Sequence, residues 1–395
     1  MKRILSCVLT LFMSAFVTLG CQKPVPPEVD PVVEPEDDPV EEAGPLCSIT
    51  GTVWDALGLK GAEGIKVSIG DSTATTDESG VYVIAGYPIK SEDLTVKLFL
   101  EDRTAEYALL PEEMVADTTI SVPAFYSGYE ERDGAKIQKV GDMWSIIPEE
   151  TFAKMKGAVQ GLAFDGDYMF IFHDLGDYAC FSLSGMRYLY GGDVDPENQY
   201  NLHCNEAFFS KDSLSSGSEH PLLYTSECRS LFNVYIYDIT SEGSKLVGTL
   251  DPPDGMGMFQ ELLYGISSYS YDAENGWLYG HNNGFIRRYR FPSFSEYTDG
   301  SYKMQASDFL GEMIFEPALT TPQGACAHDG KLIMPSGIYT VNQCCIYIYD
   351  FETREVKIVD INDLGLEPEG IDYKDGWYYV AFNKSHKEVV YRFQF

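Results

Sequence analysis

The chain has 395 residues, with 61 Asp and Glu against 28 Lys and Arg, for a formal net charge of −33. So acidic a surface repels phosphate backbones and excludes nucleic acid as a partner. Hydrophobic residues at 44% and aromatics at 13%, including 27 Tyr and 22 Phe, suffice for two or three strand-rich domains with real cores.

Lys2 and Arg3 precede an apolar run from Ile4 to Val17, followed by Gly20 and Cys21. The run is too short to span a bilayer comfortably and has the make-up of an export signal. The Gly20-Cys21 junction resembles a bacterial lipoprotein signal, although Thr18 stands where that signal usually carries Leu. The resemblance implies a signal peptide over 1–21 with Cys21 lipidated. Contact with the outer membrane is then by lipid anchor only, with the rest at the cell surface. Residues 22–45 hold seven Pro and eight acidic residues against one Lys. That composition cannot bury enough surface to fold and predicts an extended acidic stalk.

Cys7 and Cys21 belong to the signal, which leaves Cys47, Cys180, Cys204, Cys228, Cys326, Cys344 and Cys345. An odd count at irregular spacing does not describe a disulfide framework, and buried small residues are the expectation. The spacing leaves open whether Cys204 and Cys228 pair.

Residues 46–123 alternate in short strands (CSITGTVW, IKVSI, STATT, VYVIAG, LTVKLFL, AEYALL, TTISVPA) broken by Gly, Asp and Ser turns. This predicts a small antiparallel β-sandwich. Gly51, Val53, Gly61 and Val67, with Thr76, Asp77, Gly80 and Tyr82 in TTDESGVYVI, resemble the carboxypeptidase regulatory-like domain, a transthyretin-type sandwich of exported Bacteroidetes proteins. The resemblance implies a structural or spacer module without catalytic residues.

Beyond the sandwich, 124–159 reads as a connector containing one alternating strand, KIQKVGDMW (136–144). From residue 160 onward one unit recurs: an apolar strand, an Asp-Gly or Asn-Gly turn, and an aromatic strand. Tight copies occupy 160–173, 323–336 and 369–383, with looser ones at 264–281 and 204–227. Each is followed by a further strand pair, except the last, which ends one strand short at VVYRFQF. Strand 136–144 is available to complete that sheet and remove its edge. The fold class is therefore all-β: a small β-sandwich followed by a five-bladed β-propeller over 124–395. A six-bladed ring with an extra blade inside 284–322 is the alternative. The pieces NLHCNEAFF, HPLLYTSE and TPQG resemble propeller lipoproteins of Bacteroidetes, a likeness that carries no established chemistry.

In a propeller blade the start of the first strand and the end of the second lie at one face beside the channel. This pairs Gln160 with His173, and His203 and Asn205 with Glu227. It also pairs Tyr264 with His281 and Asn282, Gln323 with Ser336, and Glu369 with Asn383. Such a polar ring suits an extracellular ligand, a glycan or a peptide, with Tyr264, Tyr224 and Trp277 as stacking faces. Two other readings compete. Glu369 with His173, His203 or His281 makes a general acid–base pair if they meet. Glu369-Gly370-Ile371 with Asn205 and Asn383 is similar to the ligand set of calcium-dependent lactonase propellers, which implies a calcium ion at the channel mouth. Those propellers have six blades, and no matching Asp is placed here. The third reading is a protein-interaction scaffold whose polar ring only satisfies backbone and water. His203, Cys204, Cys228, Cys326 and His328 lack metal-site spacing, so core packing is the expectation. Met256, Met258 and Phe259 form either an apolar lip or a plug between blades.

Overall fold

The computed structural model describes residues 44–89, 94–197, 199–200, 202–204, 206–226, 234–251, 268–282, 285–317 and 321–395. Cys21, most of the acidic stalk, Cys228 and the Met256–Phe259 loop lie outside the described residues. Gly44–Phe395 is one compact unit. Among the described residues no helix is long and apolar enough to cross a membrane.

The sandwich packs two four-stranded sheets. One joins Val81–Pro88, Leu46–Trp54 and Thr119–Ser121, with Phe125–Tyr126 also pairing Leu46–Trp54. The other runs Ser72–Thr75, Lys66–Ile69, Leu94–Phe99, Thr104–Leu109. Alternate residues Ile49, Val53, Val67, Ile69, Val96 and Leu98 fill the core, as the period of two requires. The 77–80 turn is built by Asp77, whose Oδ1 accepts from the backbone N–H groups of Ser79 and Val81. Gly51 leaves room for the ring that follows this turn, because a Cβ there would lie 2.5 Å from the Tyr82 hydroxyl.

Five sheets follow among the described residues, antiparallel except for one added edge strand, and they form a β-propeller. The first is Val159–Asp165, Tyr168–His173, Asp177–Ser182 and Arg187–Asp193. The second is Ala207–Phe209, Leu223–Ser226, Val234–Thr240 and Gly243–Asp251. The third is Ser268–Asp272, Trp277–Asn282, Phe285–Arg290 and Phe309–Ile314. The fourth is Cys326–His328, Lys331–Ser336, Cys345–Asp350 and Val356–Asp360. The fifth combines Glu367–Lys374, Trp377–Asn383 and Glu388–Gln394 with the early strand Ala135–Asp142, which pairs antiparallel with Glu388–Gln394. The first and last strands of the propeller segment thus meet in one sheet.

The hairpins form where two left-handed residues match the strand twist. Asp329 and Gly330 have φ of 47° and 67°, and Asp375 and Gly376 have 49° and 86°. Blades touch at every seam. Phe170 meets Phe209, and Phe208 meets Tyr271. Ala327 N donates to Ser270 Oγ at 2.6 Å, and Gly324 N to the Glu369 carbonyl at 3.2 Å. Phe164 N donates to Asp372 Oδ2 at 2.8 Å, which joins the fifth blade to the first.

The stretch 284–322 departs from expectation. The strand pair expected after the third hairpin is Phe285–Arg290 with Phe309–Ile314, and the intervening piece YKMQAS does not supply its outer strand. Ser301–Lys303 instead adds in parallel to the second blade, and Phe309–Ile314 edges the third. The described residues here add no further sheet.

Candidate functional site at the channel mouth

The innermost strands carry one repeated dipeptide, Gln or Glu followed by Gly or Ala. It appears as Gln160-Gly161, Glu206-Ala207, Gln323-Gly324 and Glu369-Gly370. The small residue is needed because these backbones nearly touch. A Cβ on Gly324 would lie 2.9 Å from Gly370 Cα, and one on Gly161 would lie 2.3 Å from the Cys204 carbonyl. The preceding polar residues are all buried. Gln160 is the extra residue of a bulge, since Val159 faces His173 and Gly161 faces Phe172. A second bulge spans Glu369 and Gly370. Bulges of this sort re-aim a side chain that the pleat would otherwise pair.

These bulges correct the expected pairing. The residue opposite His173 is Val159 rather than Gln160, and the residue opposite Asn383 is Glu367 rather than Glu369. Glu206, three residues beyond His203, takes the inner position in the second blade and accepts from Ser226 Oγ at 3.0 Å. Asn205, Glu227 and Tyr264 lie outside the described residues, as does the side chain of Asn282. Tyr224 is fully buried and stacks on Phe208, so it offers no face to a ligand. Trp277 opens its strand at the turn end, opposite the mouth, with the Arg288 guanidinium 4.2 Å from its ring.

The histidines have other partners than Glu369. His173 Nε2 lies 2.7 Å from Glu388 Oε1, a residue of the fifth blade, and both side chains are buried. His203 Nδ1 is hydrogen-bonded to Asp174 Oδ1, and both are about one-fifth exposed. His281 is buried with neither ring nitrogen partnered among the described residues, and burial lowers its pKa to about 3. It is a neutral core residue. Gln323 Nε2 donates to the Gly337 carbonyl at 3.0 Å, and Ser336 is buried at the end of its strand.

What converges is an acidic mouth between the fifth blade and the first. Burial raises the Glu369 pKa well above the carboxylate range, and the negative charges of Glu367 and Asp174 raise it further. Burial also raises Glu367, opposed by a hydrogen bond from Asn383 Nδ2 at 3.5 Å and by His203. Glu369, Glu367, Asp174, His203 and Asn383 therefore share one electrostatic neighbourhood. It holds carboxyl groups whose pKa values are raised, beside an imidazole hydrogen-bonded to a carboxylate. Among the described residues no group of His, Cys, Asp and Glu has the geometry of a metal site. His328 stacks on Tyr373 with ring centres 3.6 Å apart, and Cys326 is buried beside Asp372.

Asp174, Glu206, Glu367 and Glu388 escape the hairpin reasoning. The repeated Gln/Glu-Gly/Ala dipeptide is the signal that finds Glu206. Asp174 follows His173 directly, and Glu367 becomes visible once the bulge is allowed for. No sequence pattern marks Glu388.

The mouth and the ring define an acidic, strand-built propeller. No protein-family model and no curated protein sequence matches this chain. Solved structures share a coarse likeness. The glutaminyl cyclase of Myxococcus xanthus is 13% identical, with a TM-score of 0.38 over 60% of this chain and 90% of that one. The soluble aldose sugar dehydrogenase of Escherichia coli is 12% identical, TM-score 0.38, over 66% and 99%. A catalytically inactive variant of virginiamycin B lyase from Staphylococcus aureus, crystallised with quinupristin, is 13% identical, TM-score 0.33, over 84% and 99%.

Proposed function

We propose that the protein is a lipid-anchored cell-surface binding module whose propeller mouth holds a polar extracellular ligand, a glycan or a peptide. The observation that carries this reading is the gathering of Glu369, Glu367, Asp174, His203 and Asn383 at one end of the channel. Burial and neighbouring negative charge raise the Glu369 pKa and so favour its protonated, hydrogen-bond-donating form, while its neighbours accept. That mixture suits sugar hydroxyls and peptide amides. The signal ending at Cys21 and the acidic stalk support display at the outer membrane surface.

The raised pKa of Glu369 favours one second reading, an enzyme in which Glu369 serves as general acid and the Asp174-oriented His203 as base. Glycan and peptide arrays, each with and without a calcium titration, test both readings on wild type, Glu367→Gln and Asp174→Asn. Binding lost in both variants at unchanged melting temperature supports the mouth as the site. Turnover of an arrayed compound moves the assignment to catalysis. Unchanged binding in both variants refutes a site at the mouth.

A further inference from the structure

We propose that the groove between the sandwich and the propeller is a second binding site, for an organic carboxylate held by Arg103 and Arg392. The groove encloses about 570 Å³ and is lined by both arginines. Its apolar wall comes from Phe125 of the sandwich side and Val140, Leu183 and Met186 of the propeller. It lies beside the 183–186 turn, away from the mouth, and so is independent of the reading above.

The charge balance inside this network is uneven. Arg103 Nη1 reaches Asp102 Oδ2 at 2.5 Å and Gln138 Oε1 at 3.0 Å. Arg392 Nε donates to the same Gln138 oxygen at 2.7 Å, and its Nη2 to the same Asp102 oxygen at 3.3 Å. Two guanidinium groups thus share one carboxylate, whose other oxygen already accepts from Gly128 N. Glu106, the only carboxylate on the groove lining among the described residues, is paired with Lys97 at 3.0 Å. Burial, and then repulsion from Arg103, lowers the Arg392 pKa, as expected where positive charge exceeds its local partners.

In a chain of net charge −33, a partly buried cationic groove runs against the surface field. Arg103 commits only Nη1 among the described residues, leaving Nε and Nη2 for a planar acceptor. A guanidinium fork matches a carboxylate in geometry, and the apolar wall favours a body of carbon over a bare inorganic ion. Both domains contribute, so occupancy of the groove would tie sandwich to propeller.

Sodium benzoate and sodium glucuronate probe the full-length protein, with benzyl alcohol, glucose and equimolar chloride as controls. Trp377 reports locally, because the Arg392 guanidinium lies 4.2 Å from its ring. The expected result is a saturable fluorescence change with benzoate, glucuronate or both, absent with the neutral controls and with chloride. A benzoate response alone identifies an apolar acid as the class, and a glucuronate response alone an acidic sugar. Arg103→Gln should weaken binding at least tenfold. Thr95→Asp, which adds a negative charge to the lining without touching the arginine network, should do the same. No saturable response to either anion, or affinity within threefold of wild type in either variant, overturns the proposal.

Discussion

Replacing Gly370 by Ala tests the packing of the propeller axis. A Cβ at that position would lie 2.2 Å from Leu162 N, 2.4 Å from Gly161 C and 2.5 Å from Gly161 Cα. All three are backbone atoms of the first blade, so no side-chain rotation relieves the overlap. Overpacking costs about 1–3 kcal/mol where side chains adjust, and a clash that only backbone movement relieves belongs at about 3 kcal/mol or above. Gly330→Ala is the matched control. Its Cβ meets nothing within 4 Å, and its left-handed φ of 67° accounts for about 1 kcal/mol on its own. Urea denaturation followed by tryptophan fluorescence measures both. The Gly370 variant should lose roughly three times as much stability as the control at an unchanged denaturant slope. Equal losses would refute the close approach of the inner strands.

Three further predictions concern buried ionisable groups. His281, with its pKa lowered to about 3, favours the folded state fully above its unfolded value and loses that contribution as pH falls toward 3. Wild type should lose about 2–3 kcal/mol more than His281→Phe between pH 7 and 4.5, read by urea midpoints at each pH. Asp372 has the opposite sign. Burial pushes its pKa up to about 7, so the folded state binds more protons and stability falls as pH rises from about 4 to 7. Asp372→Asn should flatten that fall, and an unchanged pH profile contradicts the assignment. Glu388→Ala leaves His173 buried without its partner and should cost about 1–3 kcal/mol, while Glu388→Gln, which keeps a hydrogen bond, should cost clearly less in the same assay.

Much of the fold is legible in the sequence because turn chemistry and alternation are local. Asp329-Gly330 and Asp375-Gly376 announce their hairpins, and Cys326–His328 pairs with Lys331–Ser336 across the first of them. The odd strand left at the C-terminus points to a partner near residue 136, and Lys136 faces Gln394. The site is harder to read because its geometry depends on bulges. A strict period of two sets Gln160 against His173, yet one extra residue shifts the facing position to Val159. The same shift sets Glu367 rather than Glu369 opposite Asn383. Contacts between blades are harder still. Glu388 meets His173 across 215 positions of sequence, a distance no local pattern spans. Tyr224 shows that an aromatic near a strand end is as readily core as ligand platform, since the facing Phe208 covers it.

The proposed function places the ligand at the channel mouth. Hydrogen–deuterium exchange with and without a ligand identified on the arrays tests that directly. Protection confined to the 174–176, 202–204 and 361–369 segments is the predicted result. Protection at the opposite turns, 166–167, 329–330 and 375–376, with none at the mouth, would contradict it.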